Sequence, residues 1–436
     1  MLVFSFLPRW TGDINLPPQH PVSRLVINFI FLHLGAAYIW VISCKEKTDL
    51  PPGVWIALAV AGVALCVMPP VFSGDAYEYL MRGRIFGVYH LNPYAHASGE
   101  FRSDPFYPYS IWHDLPENYG PAWVLMQWVA PTFFGFSVYG ALVAHKMILL
   151  GFFALSGTLF YKISRVVGAE EAKPLTLLFI LNPNLWVHHL VDGHNDIVMI
   201  FFMLVAVYGI LNRSWLFAMV AGAMATLVKY TAVLLLPVLL MAASQIGAQT
   251  RRQKIYVAVA GTVAVLLMAA MFYGPFWIGR DTWKYFFVFK DWFYSNSIPY
   301  AAHLLLGKLG GAVGTAAVAF FFRCFFLTNA VLALGWLATR KELFPRNAFR
   351  ALVWMFGALY VSYAIPFYGH HLNWALPFFI LSGFPAKRVG LCLFSFAGIF
   401  AYFKRLSFLF LLAAAFYSAW IIYSQRTQNK EVRGHA

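Results

Sequence analysis

The chain has 436 residues, of which 61% are hydrophobic, 19% aromatic and only 11% charged. Since soluble domains carry about a quarter charged residues, this composition excludes a soluble globular protein and predicts an integral membrane protein. The net charge of +15 is accounted for by the Lys and Arg excess on the cytoplasmic side of membrane proteins, so it does not indicate a nucleic-acid partner. Four scattered cysteines show neither metal-ligand spacing nor a disulfide framework.

Apolar stretches follow one another along the chain and predict an all-α membrane protein with about thirteen transmembrane helices, since one crossing takes about 20 apolar residues. They are Arg24–Ser43, Val54–Phe72, Tyr139–Tyr161, Pro174–Leu190, Ile197–Leu211, Trp215–Val228, Thr231–Ala243, Ile255–Ile278, Ala312–Ala338, Phe349–Phe367, Leu372–Pro385, Val389–Phe403 and Leu406–Tyr423. We expect one polytopic domain over residues 1–424 and a polar cytoplasmic tail over residues 425–436. The N-terminus lacks the basic start and cleavage site of a secretory signal, so we expect it to be retained.

One polar stretch, Ser73–Pro121, interrupts this pattern and holds five of the 17 acidic residues. The segment after it, Ala122–Phe136, decides the topology, because every later loop changes side if this segment spans the membrane. Placing it in the interface, with Ser73–Pro121 outside, puts nearly all Lys and Arg clusters in the cytoplasm, as the positive-inside rule requires. We therefore predict a catalytic extracytoplasmic loop with interfacial helices over residues 73–137, an outer N-terminus and an inner C-terminus.

On this topology several polar segments face the same outer side. Besides Ser73–Pro121 they are Asp192–Asp196, Gly279–His303 and Gly369–Trp374, and Lys229 reaches that side between two short apolar runs. No glycine-rich nucleotide-binding motif occurs in the sequence, so chemistry on a cytoplasmic nucleotide is not indicated.

Asp75 directly follows an apolar run and therefore lies at the membrane boundary. If Asp75–Arg84 is helical, Asp75, Glu78 and Arg82 share one face. A carboxylate at the lipid edge, beside aromatic residues and an arginine, suits a general base that acts on a lipid-borne substrate. The alternative makes Asp75 a helix cap and makes Glu78 and Arg82 an i,i+4 ion pair. The residues alone favour neither interpretation.

Two proline-containing turns in the same loop carry aromatic side chains. Asn92 and Tyr94 belong to the first turn and Tyr119 to the second. Their rings either stack on a sugar or lie in the interfacial aromatic belt, which is the commoner arrangement.

A second polar group, His194, Asn195 and Asp196, follows a span that also carries His188 and His189. The spacing matches no standard metal-ligand set, so we predict hydrogen bonding to hydroxyls or phosphate and no metal.

Three isolated cationic or titratable residues complete the candidates on the outer side. Lys229 lies within an apolar run, where a charge is costly and indicates function, with snorkelling as the alternative. His370 and His371 either donate hydrogen bonds to a phosphate or are ordinary interfacial histidines.

Several motifs in a fixed order make the chain resemble a known enzyme superfamily. They are G-D-A-Y-E-Y-L-x-x-G-R-I-F-G-x-x-x-x-N-P-Y at Gly74–Tyr94, N-Y-G-P at Asn118–Pro121, L-N-P…D-G-H-N-D at Leu181–Asp196, L-V-K-Y-T-A-V-L-L-L-P at Leu227–Pro237 and N-W-A-L-P at Asn373–Pro377. With these motifs the chain resembles the GT-C superfamily of membrane glycosyltransferases. Within it, the chain looks most like the bacterial polyprenol-phosphate-mannose-dependent α-mannosyltransferases that assemble lipoglycans.

The resemblance implies that Asp75 is the catalytic base, which deprotonates an acceptor hydroxyl for inverting attack on the anomeric carbon. It implies that the leaving polyprenyl phosphate is bound by Arg82, Lys229 and His371, with His370 as the alternative. The implied substrate-binding residues are Glu78, Asn92, Tyr94, Tyr119, His194, Asn195 and Asp196. Relatives often carry a basic residue at the position of Glu78, so this departure would alter donor or acceptor preference.

The implied partners are a polyprenyl-phosphate-linked sugar as donor, a glycolipid or glycan as acceptor, and the surrounding membrane lipids. No metal and no other cofactor is implied. The expected location is the inner or plasma membrane, with the active site on the extracytoplasmic side. Two other classes stay open on the residues: a transporter or flippase of lipid-linked sugars, which would show inverted repeats, and a membrane acyltransferase or polymerase, for which His145 is a weak candidate.

Overall fold

Helices make up the regular structure of the residues that the structure describes. The computed structural model describes residue 38 and residues 52–168, 172–246, 250–283, 297–308, 314–362 and 369–383. Within these ranges the regular elements are α-helices with short 3-10 and π turns, and no β-strand occurs. Several predicted segments lie wholly or largely outside the described residues: Arg24–Ser43 except Tyr38, the middle of Gly279–His303, Val389–Phe403, Leu406–Tyr423 and the tail at 425–436.

The α-helices are numbered here in chain order. They are α1 (Pro52–Cys66), α2 (Asp75–Gly87), α3 (Pro121–Gln127), α4 (Val129–Phe133), α5 (Val138–Val167), α6 (Ala172–Ile180), α7 (Asp196–Leu211), α8 (Trp215–Val228), α9 (Leu235–Ile246), α10 (Arg251–Tyr273), α11 (Ile298–Lys308), α12 (Thr315–Ala338), α13 (Arg346–Ser362) and α14 (Leu376–Leu381). Short 3-10 turns at Tyr230–Leu234, Gly274–Phe276 and Gly369–Trp374 lie next to some of these helices.

Three of the described helices are long and apolar enough to cross a membrane by themselves: Val138–Val167, Arg251–Phe276 and Thr315–Ala338. A residue adds about 1.5 Å to a helix, so these helices exceed the roughly 30 Å of a hydrocarbon core. Four shorter apolar helices, α1, α7, α8 and the stretch Tyr230–Ile246, have fewer than 18 residues. The number of about thirteen spans therefore stays a prediction, while the all-helical class is confirmed.

Two helices show how the apolar surface is divided between protein and lipid. Helix α7 packs against α5 and α8, and Ile197, Met199 and Met203 on it have no exposed surface. Helix α10 instead leaves large side chains such as Leu266 and Leu267 more than 60% exposed. In a membrane protein, an exposed apolar face of that size is a surface for contact with lipid. Helix α7 therefore lies in the interior of the bundle, and α10 lies at its periphery.

The predicted span Pro174–Leu190 is not one continuous helix. Helix α6 ends at Ile180, and Asn182-Pro183 starts a new turn in which the Asn182 side chain accepts a hydrogen bond from the N–H of Asn184. A π turn over Trp186–Val191 follows. Turns of this kind are rare and often occur at functional sites, and this one carries two buried histidines, His188 and His189.

The segment Ala122–Phe136 forms two short helices, α3 and α4, which meet at Trp128. Together Pro121–Phe133 would measure about 20 Å at 1.5 Å per residue, which is shorter than a hydrocarbon core of about 30 Å. Helix α4 packs against α2 and α5. This length favours the interfacial placement predicted for the segment.

Candidate active site

Polar side chains from distant parts of the chain meet where helix α2 begins. They come from Asp75 on α2, from the turn at 192–196, from Lys229 after α8, and from the 3-10 turn Gly369–Trp374. The predicted outer segments that the structure describes in full thus contribute to one cluster. Asp75 and Asp196 are the first residues of helices α2 and α7, and the other groups belong to turns between helices.

Asp75 is positioned by the short connection between α1 and α2. The backbone N–H groups of Val71 and Phe72 both donate to Oδ1 of Asp192, at 2.9 and 3.0 Å. Asp192 precedes Gly193, which adopts a positive φ of 75° and whose added Cβ would lie 3.0 Å from the side chain at the second residue of α2. Glycine is therefore favoured at this turn, and the turn packs directly against the start of α2.

Burial sets the charge state of Asp75 and its neighbour. Loss of hydration raises the pKa of the Asp75 carboxyl to about 6, although Lys229 and a hydrogen bond with Ser73 act in the opposite direction. Its Oδ2 lies 3.5 Å from Nδ1 of His194, while its side chain stays 24% exposed. Burial lowers the pKa of His194 to about 3. At neutral pH this pair is a carboxylate beside a neutral imidazole, and an accessible carboxylate is what a general base needs.

Lys229 supplies a positive charge to the cluster. Helix α8 ends at Val228, and the extended backbone of Lys229 (φ −148°, ψ 124°) carries the side chain out of the helix. Its Nζ lies 2.6 Å from Oδ1 of Asp196 and 5.5 and 5.2 Å from the ring centres of Tyr119 and Trp374. The indole N–H of Trp374 donates to the same carboxylate oxygen. A fixed cation in a largely dry site can stabilise a leaving phosphate.

Histidine rings line another side of the cluster. The ring centres of His194 and His370 are 3.9 Å apart and nearly parallel, and His371 lies 4.3 Å from His370. Burial lowers the pKa of His370 and of His371 well below 6.5. These imidazoles are therefore neutral near pH 7, and they can donate hydrogen bonds to a phosphate without adding positive charge.

Two asparagines, Asn184 and Asn373, connect the turns that carry these groups. Asn184 Nδ2 donates to the carbonyl of Gly369 and to Oδ1 of Asn373, both at 2.7 Å. Asn195 is fully buried, and its side-chain amide makes no hydrogen bond to any residue in the described ranges. Buried amides are normally paired, so Asn195 is available to a bound ligand. The sequence did not single out Asn184 or Asn373, although both lie in the motifs L-N-P-N and N-W-A-L-P.

Arg82 and Glu78 lie in a different environment from the one predicted. Arg82 is 2% exposed, and its guanidinium lies at 2.9 Å from Glu78, 3.4 Å from Glu117, 2.8 Å from Asn118 and 3.2 Å from the carbonyl of Leu115. The second oxygen of Glu78 accepts hydrogen bonds from residues 110–112. Since both side chains are used to hold the loop, the geometry argues against phosphate binding by Arg82 and substrate binding by Glu78. The i,i+4 ion pair describes them better.

Of the three loop residues predicted to bind substrate, Tyr119 contacts the cluster through its ring against Lys229. Tyr94 donates its hydroxyl to the Tyr119 carbonyl at 2.6 Å, and Asn92 donates to the carbonyl of Phe276 at 2.8 Å. Asn92 and Tyr94 therefore fasten the loop to its neighbours, in a supporting role rather than the predicted one. Helix α2 also contributes Tyr79, whose hydroxyl lies 3.3 Å from that of Tyr119.

Comparison with known proteins agrees with the motifs. Residues 13–245 match the family model described as "Alpha-(1->6)-mannopyranosyltransferase, N-terminal domain". The chain is 28% identical over 238 residues to alpha-(1->6)-mannopyranosyltransferase B of Corynebacterium glutamicum, which covers 49% of this chain and 37% of that protein. Identity to alpha-(1->6)-mannopyranosyltransferase A of the same organism is 25% over 222 residues, 50% of this chain and 44% of that protein.

A relative from Mycobacterium tuberculosis, also named an alpha-(1->6)-mannopyranosyltransferase, is 29% identical over 148 residues, 33% of this chain and 24% of that protein. The matched part is thus less than half the length of each of these relatives. The family match contains Asp75, Asp196 and Lys229, whereas the turn with His370 and His371 lies beyond it. Because the match covers more than half of its 436 residues, this chain belongs to the alpha-(1->6)-mannopyranosyltransferase family.

Proposed function

We propose that this protein is a membrane mannosyltransferase that moves mannose from a polyprenyl-phosphate-linked donor to a hydroxyl of a glycolipid or glycan, on the extracytoplasmic face of the inner or plasma membrane. The observation that carries this proposal is the position of Asp75. Its partly exposed carboxylate lies at the end of an apolar segment, within a cluster that also holds the ammonium of Lys229. The names of the curated relatives support mannose as the sugar.

In the proposed reaction, Asp75 accepts the proton of the acceptor hydroxyl as that oxygen attacks the anomeric carbon of the donor. The bond between the anomeric carbon and the phosphate oxygen breaks, and its electron pair leaves with the polyprenyl phosphate. Attack from the face opposite to the leaving group inverts the anomeric centre. The products are the mannosylated acceptor, a protonated Asp75 and polyprenyl phosphate, and the carboxyl then releases its proton to water.

Lys229 and the histidines are assigned to the leaving phosphate. The carboxylate of Asp196 balances the ammonium of Lys229, so Lys229 stays charged in the buried site when no donor is bound. When the donor binds, its phosphate contacts the ammonium of this ion pair. His370 and His371 supply neutral hydrogen-bond donors at the same turn. Charge stabilisation of this kind is commonly the largest contribution of an enzyme to such a transfer. Asn195 and Tyr119 are the residues we assign to the sugar.

The variant Asp75→Asn tests the base. Because an amide cannot accept the proton, we expect the rate of mannose transfer from polyprenyl-phosphate mannose to fall by about 10²–10⁴-fold. Binding of the donor should change little, because the phosphate-binding groups remain. The measurement is transfer of radiolabelled mannose by purified protein in detergent or liposomes, beside donor binding by the same preparation.

The matched control is Asp114→Asn, an acid in the exposed part of the same loop, which should transfer mannose at the wild-type rate. Full activity of Asp75→Asn would exclude Asp75 as the base. Transfer from a different lipid-linked sugar, with none from the mannose donor, would leave the reaction class in place and exclude mannose. Movement of the lipid-linked sugar across liposomes without transfer would support the flippase instead.

A further inference from the structure

The turn that follows helix α6 brings together three histidines from two distant parts of the chain. His188 lies in the π turn, His194 follows it, and His370 comes from the 3-10 turn about 180 residues later. One ring nitrogen of each lies within 4.8 Å of one ring nitrogen of each of the others, and all three side chains are buried. The sequence analysis predicts no metal here, because the spacing of the histidines along the chain matches no standard metal-ligand set.

We propose that His188, His194 and His370 bind a divalent transition-metal ion such as Zn²⁺. Neutral imidazole is a preferred ligand of Zn²⁺, and sites with three protein ligands leave a fourth position open to water or substrate. Zn–N bonds of about 2.0–2.1 Å place ligand nitrogens about 3.4 Å apart in a tetrahedral site. The nitrogens here are up to 4.8 Å apart, so the ligands close around the ion by roughly an ångström.

That closure needs one rotation. The planes of the His194 and His370 rings lie at 27° to each other and their centres are 3.9 Å apart, so the in-plane nitrogens of these stacked rings do not face one another. In the proposed site one of these rings turns about its Cβ–Cγ bond, so that a nitrogen of each ring faces the ion. Such a rotation changes a side-chain torsion with a broad energy profile, and it leaves the backbone of both turns in place.

Asp192 supplies the supporting contact that metal-bound histidines usually have. Its Oδ2 lies 3.3 Å from Nδ1 of His188, which leaves Nε2 as the nitrogen directed to the ion. Its Oδ1 is held by two backbone N–H groups. A carboxylate behind a ligand histidine fixes the tautomer and orientation of the ring, and removing it commonly costs 10–100-fold in metal affinity.

His194 gives an independent reason to expect a ligand. It has no exposed surface, and neither ring nitrogen makes a hydrogen bond within the described part of the chain. A role in packing alone would leave at least Nε2 without a hydrogen bond, and buried polar side-chain atoms are normally paired. Binding an ion through one nitrogen, with the other 3.5 Å from the carboxylate of Asp75, satisfies the ring in the way Asp192 satisfies His188.

The ion would also be placed usefully for the reaction. This part of the inference rests on the proposed function. The open fourth coordination position, beside Asp75, would accept a phosphate oxygen of the donor, and the ion would add its positive charge to that of Lys229. The metal site itself does not depend on that reaction. Metal binding can be measured on purified protein without any substrate, so failure of mannose transfer and failure of metal binding are separate results.

The experiment measures metal content. Purified full-length protein in detergent is equilibrated with excess Zn²⁺ at pH 7.5, freed of unbound ion by gel filtration, and analysed by mass spectrometry for the metal. We expect about one ion per chain for the wild type and for His371→Gln, the matched control next to His370. We expect His188→Gln and His194→Gln to lose the ion, and Asp192→Asn to bind it 10–100-fold more weakly.

Variants are compared only if their thermal unfolding midpoints without metal match that of the wild type. A wild type that retains no ion overturns the proposal, and so does equal retention by the wild type and by His188→Gln and His194→Gln. If the variants do not fold, Co²⁺ added to the wild type decides. Intense visible bands of a tetrahedral nitrogen-ligated ion support the site, and the pale spectrum of hydrated Co²⁺ overturns it.

Discussion

Lys229 is held in an apolar surrounding by one carboxylate and two aromatic rings. Buried ion pairs of this kind contribute little net stability, because the loss of hydration offsets the attraction between the charges. A well-packed apolar pair at the same place would serve folding as well. The Lys229–Asp196 pair is therefore better explained by the need for a cation in the site than by a need for stability.

This view predicts different outcomes for single and double substitutions. Lys229→Gln leaves Asp196 buried and uncompensated, so we expect it to lower the free energy of unfolding by about 3–5 kcal/mol and to abolish mannose transfer. The double variant Lys229→Gln with Asp196→Asn removes both charges and should regain most of that stability. It should remain inactive, because the ammonium that binds the phosphate is still missing. Chemical denaturation in detergent and the transfer assay provide the two measurements.

Wild-type activity in the double variant would show that the pair serves folding alone. Loss of stability that the double variant does not regain would show that Lys229 has stabilising contacts besides Asp196. The single variant Asp196→Asn is the complementary control, since it keeps the ammonium and removes its partner.

Arg82 and Lys229 have the same charge, and from the sequence both were expected to bind the phosphate. They differ in their partners. The acids that engage Arg82 include Glu117, which lies 35 residues away in an irregular loop and whose position no periodicity predicts. For Asp75 the prediction rested on a local feature, the junction of an apolar run with a helix, and such features can be identified from sequence.

At the scale of elements, the turn N-Y-G-P meets the end of helix α8 at very short range. The N–H of Gly120 donates to the Val228 carbonyl at 3.4 Å, and a Cβ at Gly120 would lie 1.9 Å from the carbonyl oxygen of Leu227. No side chain can be accommodated against backbone at that distance. The close approach also determines where Tyr119 lies with respect to Lys229.

Gly120→Ala should therefore push the turn away from α8. We expect a loss of about 1–3 kcal/mol in the free energy of unfolding, as for other overpacked sites, together with a higher KM for the donor. Gly151→Ala is the control, since Gly151 lies in α5 with nothing within 4 Å of an added Cβ. It should be neutral or stabilising by up to about 1 kcal/mol, because alanine favours a helix more than glycine does.

Thermal unfolding of the two variants side by side measures the effect. Equal unfolding midpoints would show that the turn accommodates the added methyl group without loss of stability. An unchanged KM in a destabilised Gly120→Ala would show that the position of this turn does not affect donor binding.

Elements differed in how well the sequence predicted them. Trp215–Val228 is a helix with the predicted bounds, and α7 begins one residue before the predicted Ile197, because long apolar runs bounded by polar residues specify a helix unambiguously. The sequence predicts one span over Pro174–Leu190, but Asn182-Pro183 breaks it and a π turn follows. Hydropathy does not distinguish a buried broken helix from a spanning one.

At the scale of the whole molecule, the groups of the candidate site come from the first residues of helices and from the turns between helices. Residues far apart in sequence are brought together in this way. Which residues form the site depends on which of these segments lie close together in the folded chain. The sequence indicated that these segments lie on one side, but it could not indicate that His370 stacks on His194.

The predicted orientation can be tested by labelling. In protein whose four native cysteines are replaced by alanine, Ser103→Cys in the exposed loop should react with a membrane-impermeant maleimide added to intact spheroplasts. Lys341→Cys, between α12 and α13, should react only after lysis, since the positive-inside rule places that loop in the cytoplasm. Both positions are exposed, so access to the reagent depends on the side of the membrane alone.

Labelling of Lys341→Cys alone before lysis would reverse the proposed topology and place Asp75 on the cytoplasmic face. Labelling of both sites before lysis would place the two loops on the same side and contradict the predicted number of crossings between them. As a control, a cytoplasmic marker protein that stays unlabelled in the unlysed sample shows that the membrane is intact.

One contact described above has a mechanical consequence. A single carboxylate, Asp192, holds the backbone just before Asp75 with one oxygen and the ring of His188 with the other. The segment that leads to Asp75 and the ring of His188 are therefore held by the same side chain. A substitution that removes the Asp192 carboxylate, such as Asp192→Ala, is expected to loosen both halves of the candidate site at once.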